Sequence, residues 1–313
     1  MSLYCFGIDV GGTTVKCGLF QTDGTLLDKW EIPTRKENNG EEILPDIAKA
    51  IEAKIAEKNI QKSDVAGVGI GIPGPINEDG ECAVAVNLGW GFKAVAKEME
   101  TLTGLPAKAG NDANVAALGE AWAGAAKGCR NSIMLTLGTG VGGGIIINNK
   151  ILAGSHGAGG EIGHANVNHN ETDKCNCGNS GCLEQYTSAT GIVRVAKKEL
   201  AACEEPSSLR AFGESLTCKD VLDAYAQRDP MAVLIMNKVC DVLGGAIATF
   251  TAVLDPDVVV IGGGVSKAGS ILTDCISQYY KKYAFTVCKA TPIVLATLGN
   301  DAGIYGSARM VLD

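Results

Sequence analysis

Leu3-Tyr4-Cys5-Phe6-Gly7-Ile8-Asp9-Val10-Gly11-Gly12-Thr13-Thr14-Val15-Lys16 opens the chain as an apolar run, a glycine turn and a second run. The pattern returns at Ser132-Ile133-Met134-Leu135-Thr136-Leu137-Gly138-Thr139-Gly140-Val141-Gly142-Gly143-Gly144-Ile145-Ile146-Ile147. In the first copy Leu3 to Val10 and Val15 to Phe20 read as strands. Asp23-Gly24 then reads as a hairpin turn and Thr25 to Ile32 as a third strand. In the second copy Ser132 to Leu137 and Gly144 to Ile147 read as strands, with Asn148-Asn149-Lys150 as the hairpin turn before Ile151-Leu152. A repeated unit predicts two related α/β halves with a cleft between them, joined near residues 112 to 130.

Outward from these repeats, Ile43, Ile47, Ile51 and Ile55 give Glu41 to Lys58 helical spacing. Val65 to Ile72 reads as a buried strand ended by Pro73-Gly74-Pro75. A helix is expected over Phe92 to Thr103. A short strand, Ala107-Lys108-Ala109, runs into Asn111-Asp112. Asp112 to Ala125 reads as an Ala-rich helix capped near Asn111 or Asp112. Met231 to Leu254 reads as a long helix, Val258 to Ile261 as a strand meeting Gly262-Gly263-Gly264, and Pro292 to Thr297 as the last strand. Asp301 to Leu312 is the last helix, expected to pack back on the N-terminal half. The expected class is α/β. A smaller domain covers residues 1–119, joined by helix 301–313, and a larger one covers 120–300.

Bulk properties narrow the function. A chain of 313 residues with 46% hydrophobic and 20% charged residues reads as globular. Its net charge of −8, with no basic run, disfavours nucleic acid, because phosphate neutralisation needs clustered Lys and Arg. No N-terminal apolar region reads as a signal peptide, and no apolar run reads as a membrane span. Outside one cluster, the cysteines stand singly (Cys5, Cys17, Cys82, Cys129, Cys203, Cys218, Cys240, Cys275, Cys288). That is the habit of reduced cysteine in a cytoplasmic protein.

The cluster is Cys175-Asn176-Cys177-Gly178-Asn179-Ser180-Gly181-Cys182, with His164 shortly before it. Three thiols and an imidazole are the donors of a closed structural zinc site. The alternative is a Cys177–Cys182 or Cys175–Cys177 disulfide. The spacing and the reducing compartment favour zinc. Glu161 and Glu184 flank this knot, which could hold both carboxylates in place. His156 and His169 stand in loops with no partnered motif. Trp30, Trp90 and Trp122 read as packing residues, and Trp90 could border a ligand.

The glycine turns at 11–12, 138–144 and 262–264 each follow an apolar strand. Backbone N–H groups in such turns form concave anion sites. Asp9 at the strand end could hold Mg²⁺, and Thr13, Thr14 and Lys16 add donors. Gly138, Gly140 and Gly143 also spell a dinucleotide-binding pattern, but that motif needs a helix after the glycines, and a strand is expected here.

In combination, Asp9-Val10-Gly11-Gly12-Thr13-Thr14-Val15-Lys16, Asn111-Asp112, Leu137 to Gly144, Glu161-Ile162-Gly163-His164 and the run from Cys175 to Leu183-Glu184 resemble the ROK family of sugar kinases and repressors. Within it, they are most similar to the bacterial glucokinases. The motifs stand in the family's order and span nearly the whole chain. The resemblance implies an actin-like, ribonuclease-H-like fold with a duplicated βββαβα unit, and ATP-dependent phosphorylation of glucose at its 6-hydroxyl. By motif position it makes Asp112 the catalytic base. It assigns Asn87, Asn111, Asp112, Glu161, His164 and Glu184 to the sugar. Gly11, Gly12, Thr13 and Thr14, with Gly138, Thr139 and Gly140, would hold the triphosphate. Gly262, Gly263 and Gly264 would lie by the nucleoside. His164 would give one ring nitrogen to zinc and face the sugar with the other. A homodimer or a dimer of dimers is also implied.

The chemistry suits these residue types. A sugar hydroxyl is a weak nucleophile, and a carboxylate in hydrogen-bond reach can accept its proton. A helix N-terminus would favour the ionised form of Asp112 by about 0.3–1 kcal/mol. The plainer reading of Asp112 is an N-cap, and that of either glutamate a solvated loop residue. Within the class, a kinase for fructose, mannose, allose or an N-acetylhexosamine is the alternative. Outside it stands a sugar-sensing repressor, which carries a helix-turn-helix domain before the kinase-like part. A first strand near Leu3 leaves no room for one. ATP is the expected donor ahead of ADP or polyphosphate.

Overall fold

The structure, a computed structural model, describes residues 3–312. Its strands form two five-stranded sheets. The first holds β1 (Tyr4–Val10), β2 (Thr14–Gln21), β3 (Leu26–Pro33), β4 (Val65–Ile72) and β5 (Ala107–Asn111), in the order β3-β2-β1-β4-β5. β1, β2 and β3 pair antiparallel, while β4 and β5 join in parallel. The second holds β6 (Ser132–Leu137), β7 (Val141–Ile147), β8 (Lys150–Ile151), β9 (Val258–Gly262) and β10 (Ile293–Leu295), in the order β8-β7-β6-β9-β10. Both sheets therefore run third, second, first, fourth, fifth along their own stretch of chain. The repeat expected from the two glycine-turn segments is a repeat of topology, as an actin-like ATPase fold requires.

The helices are α1 (Glu37–Gly40), α2 (Ile43–Glu57), α3 (Val95–Thr103), α4 (Asp112–Ala123), α5 (Glu184–Thr187), α6 (Ala189–Ala202), α7 (Cys218–Ala226), α8 (Pro230–Leu254), α9 (Ser270–Tyr283) and α10 (Ala302–Met310). α2 buries Ile43, Ile47, Ile51 and Ile55, the stripe its spacing predicts. α6, α7 and α9 had no assignment from sequence. α3 starts later than Phe92 because Lys93 exchanges backbone hydrogen bonds with Cys82 (2.8 and 2.9 Å), which keeps it extended. β7 starts at Val141, not Gly144, so three glycines lie within a strand. A Cβ at Gly144 would stand 2.4 Å from that of Ala117, so its absence lets α4 approach. The expectation of no membrane-length apolar run also needs correcting. By length and composition α8 qualifies, but it is mostly buried in a core shared with α6, α7 and α9.

The chain separates into two compact units. The first takes residues up to Arg130, Gly144–Gly160, and the chain from Thr297 on; the second takes Asn131–Gly143 and Glu161–Ala296. The sequence expectation divided the chain at 119/120, which would cut α4, a single helix. It also left the β7–β8 hairpin wholly in the second part.

In the first unit, α10 lies against β1, β4 and α4. The approach is close enough to exclude side chains. A Cβ at Gly306 would fall 1.7 Å from Val115 O, and one at Gly119 would fall 2.2 Å from Ala302 O. Gly7 and Gly69 leave the same room on the sheet for Ile304 and Ser307. Ser307 Oγ donates to Ile8 O (2.7 Å). Glu120 on α4 is fully buried. Its carboxylate accepts from Ala125 N (2.7 Å), Thr297 N (3.1 Å) and Leu298 N (2.8 Å), and so ties the chain leaving α4 to the chain entering α10.

Gly306→Ala should lower stability by about 1–3 kcal/mol, because a backbone carbonyl must move to admit the methyl. Urea unfolding checks this, and an unchanged midpoint would contradict the close approach. Glu120→Gln should cost a similar amount by leaving backbone donors unsatisfied.

Candidate functional site

In the first unit, β1 ends in the turn Gly11 to Thr13. It is closed by Gly11 N to Thr14 O (3.0 Å), Thr34 Oγ1 to Gly11 O (2.7 Å) and Thr34 N to Thr13 O (2.9 Å). Asp9 precedes it. Burial pushes its carboxyl above the usual range, and the nearby Lys16 ammonium opposes that. The carboxyl packs on Gly303 of α10, where a Cβ would stand 2.6 Å from Asp9 Cγ. Lys16, expected among the phosphate donors, gives a hydrogen bond to Asn300 O (3.0 Å).

The head of α4 shows which of the two neighbouring residues is its cap. Asn111 Oδ1 accepts from Ala113 N (3.0 Å) and Asn114 N (3.2 Å), while its Nδ2 donates to Gly74 O (3.1 Å). Asn111 is therefore the cap. Asp112 is the first helical residue, with Oδ1 accepting from Ala113 N (2.8 Å). Asn114, which sequence reading missed, is 4% exposed and donates to Gly159 O (3.0 Å). Its only sequence signal is the spacing that sets it one turn after Asn111. Asn87 sits exposed on the short turn Val86–Leu88. That turn is braced by Trp90, whose Nε1 donates to Gly40 O (3.0 Å).

In the second unit, Gly138 N bonds Gly140 O (2.9 Å), and Gly138 O accepts from Ala189 N (2.8 Å) at the start of α6. Thr190 Oγ1 donates to Thr139 O (2.8 Å). Gly263, at φ 83°, packs on the end of β6, where a Cβ would meet Leu137 O at 2.5 Å. The structure thus brings the second and third glycine turns together. A strand, not a helix, follows Gly140, which removes the dinucleotide reading. Glu184 opens α5 beside this turn. Its Oε2 accepts from Val141 N (2.8 Å), and its Oε1 lies 3.7 Å from Cys175 Sγ.

His164 closes a 3₁₀ turn that follows Glu161. Its Nδ1 lies 3.8 Å from Cys175 Sγ, and its Nε2 lies 3.9 Å from Glu161 Oε2. Cys177 and Cys182 sulfurs are 3.6 Å apart. The four ligand atoms of His164, Cys175, Cys177 and Cys182 all lie within 4.8 Å of one another. Tetrahedral zinc with Zn–S near 2.3 Å needs ligand-to-ligand edges of roughly 3.8 Å, so the donor set fits. All twelve cysteines are free thiols, so neither disulfide forms. Gly178 and Gly181, at φ 90° and 78°, supply the left-handed turns that bring the sulfurs together.

Behind the cysteine loop, Glu171 was invisible to motif reading. The Tyr186 hydroxyl, the Arg194 guanidinium and the Asp173 N–H lower its carboxyl to about 2. A carboxylate held below its unfolded value of 4.5 stabilises the fold fully above that value, and the contribution fades as pH falls toward 2. Acid unfolding should therefore be less steep between pH 4.5 and 2 in Glu171→Gln. An unaltered acid limb would contradict the pairing.

The ROK family model matches residues 5–313. A glucokinase of Halalkalibacterium halodurans is 44% identical over 309 residues, covering 97% of this chain and 94% of that protein. One from Thermotoga maritima is 36% identical over 317 residues, covering 99% and 97%. The crystal structure of a ROK family glucokinase from Streptomyces griseus, in complex with glucose and AMPPNP, aligns with a TM-score of 0.73 at 32% identity, covering 98% of each chain. The chain belongs to the ROK family.

Proposed function

We propose that this chain transfers the γ-phosphoryl group of ATP to the 6-hydroxyl of glucose. The observation that carries the proposal is the division of labour at the head of α4. Asn111 does the capping, so Asp112 keeps a first-turn position where the positive helix end acts on its carboxylate. Asp112 accepts the proton of the attacking hydroxyl. Asn87, Asn111, Glu161, His164 and Glu184 bond the remaining sugar hydroxyls. Once a sugar covers them, acceptors of this kind penalise a ligand that lacks the matching donor. The backbone of Gly11 to Thr14 and Gly138 to Gly140 holds the triphosphate, with Gly262 to Gly264 by the nucleoside. The identity with glucokinases supports glucose ahead of other hexoses.

Asp9 fits Mg²⁺. It is a carboxyl raised by burial, and a cation would suit it; when bound, the ion supplies charge neutralisation for the triphosphate. His164, Cys175, Cys177 and Cys182 would hold zinc through Nδ1 and three sulfurs, leaving His164 Nε2 for the sugar side with Glu161. The bound ion would supply a crosslink that keeps the loop and His164 in place. We further infer a cytoplasmic location from the free cysteines, and a homodimer or dimer of dimers from family membership.

Asp112→Asn should lower kcat by about 10²–10⁴-fold with an unchanged thermal midpoint. Near-normal turnover would overturn the assignment of the base. Across glucose, fructose, mannose, allose and N-acetylglucosamine, kcat/KM should be highest for glucose, and a better sugar would displace it. Elemental analysis should find about one zinc per chain. In Cys177→Ser the metal should be lost and glucose KM should rise about tenfold.

A further inference from the structure

We propose that Glu171, Arg194 and Gln185 are positioning residues that lock the cysteine loop onto the α5–α6 segment and thereby hold Glu184 and His164 for the sugar. The proposal rests on the zinc and sugar-acceptor readings above. It deepens them, because none of these three side chains is a ligand or a sugar contact.

Glu171 has a side chain only 8% exposed. One oxygen, Oε1, accepts from Thr172 N and Asp173 N (3.0 Å each), which folds the entry of the loop. The other, Oε2, accepts from Tyr186 Oη (2.6 Å) and Arg194 Nη2 (2.5 Å), which fastens that entry to α5 and α6. Arg194 also donates to Asp173 Oδ2 (2.7 Å), and its guanidinium lies 5.5 Å from the centre of the Tyr186 ring. Both carboxylate bonds leave from Nη2, while Nη1 donates to Gln185 O (3.4 Å), so one guanidinium reaches three acceptors from a fixed plane, which a lysine ammonium on a flexible stem does less well.

Gln185 closes the other side. Its Nε2 donates to Asp173 O (2.9 Å), and its Oε1 accepts from Cys182 N (3.0 Å). One amide thus spans both ends of the cysteine loop. Gln185 directly follows Glu184, whose carboxylate takes Val141 N. A few residues on, Ala189 N and Thr190 Oγ1 hold Gly138 and Thr139. A single short helical segment therefore carries the cysteine loop on one side and the glycine turn on the other. The loop has no regular structure of its own, so ordering it costs conformational entropy that these bonds offset.

The test uses the protein as purified, with Glu171→Gln and Arg194→Lys. Release of metal to a chromogenic chelator should be about tenfold faster in both variants. Amide exchange across residues 172–182 should be faster, and glucose KM should rise while kcat stays essentially unchanged. Glu171→Asp, which keeps the charge, should recover part of the loss. Unchanged chelator release and unchanged exchange would overturn the proposal. So would a fall of kcat and thermal midpoint with glucose KM unchanged, which marks a merely structural role. Purified protein without metal would count against the zinc reading, and absence of turnover against the kinase reading. In either case exchange at 172–182 still decides this proposal.

Discussion

The first unit depends on how closely two helices and a sheet can approach. α4 and α10 meet at Gly119 and Gly306 with backbone against backbone, and β1 and β4 receive α10 over Gly7 and Gly69. Close packing leaves no slack there, so the direction of α4 is set by the absence of four side chains. That direction places Asn111 and Asp112 at the end of β5. The same packing puts Gly303 against Asp9 at the end of β1. A few ångströms of backbone proximity thus position an acid at each of two strand ends.

The second unit reaches a comparable result by polar means. Glu184 touches the backbone after the glycine turn with one oxygen and approaches the cysteine cluster with the other. A carboxylate shared in this way is costly to move, since each acceptor atom would lose a partner in a partly buried setting. Glu120 plays the equivalent part in the first unit, where three backbone donors converge on a buried carboxylate. The two carboxylates differ in purpose. Glu120 joins segments of chain, whereas Glu184 stands between the glycine turn and the cysteine cluster.

Much of this was legible because it is local. The isoleucine stripe of α2, the strand β4 and the asparagine pair of the β7–β8 hairpin follow from period and turn chemistry. The cysteine spacing likewise points to a metal-type cluster, and the four ligand atoms lie within 4.8 Å of one another. α6, α7 and α9 carry a signal of the same kind, since Ile192, Val195 and Ala196, then Val221, Ala224 and Tyr225, then Leu272, Cys275, Ile276 and Tyr280 are buried at helical spacing. β7 begins three residues before the strand expected from Gly144, because glycine carries almost no strand signal although α4 requires glycine there.

What the amino-acid sequence determined by itself was the repeated strand-turn-strand unit, the donor types of the cysteine cluster and the acids at strand and helix ends, since each is written within a few consecutive residues. What only the tertiary structure decided was which of Asn111 and Asp112 caps α4, where the second strand of the repeat begins, and how Glu171, Gln185 and Arg194 bind the cysteine loop to α5 and α6. The first depends on which side chain reaches the N–H groups of Ala113 and Asn114, and the other two on distances between residues apart in the chain. No local propensity encodes such distances, because they are set by which backbones can pack without a side chain between them and which buried donors need an acceptor.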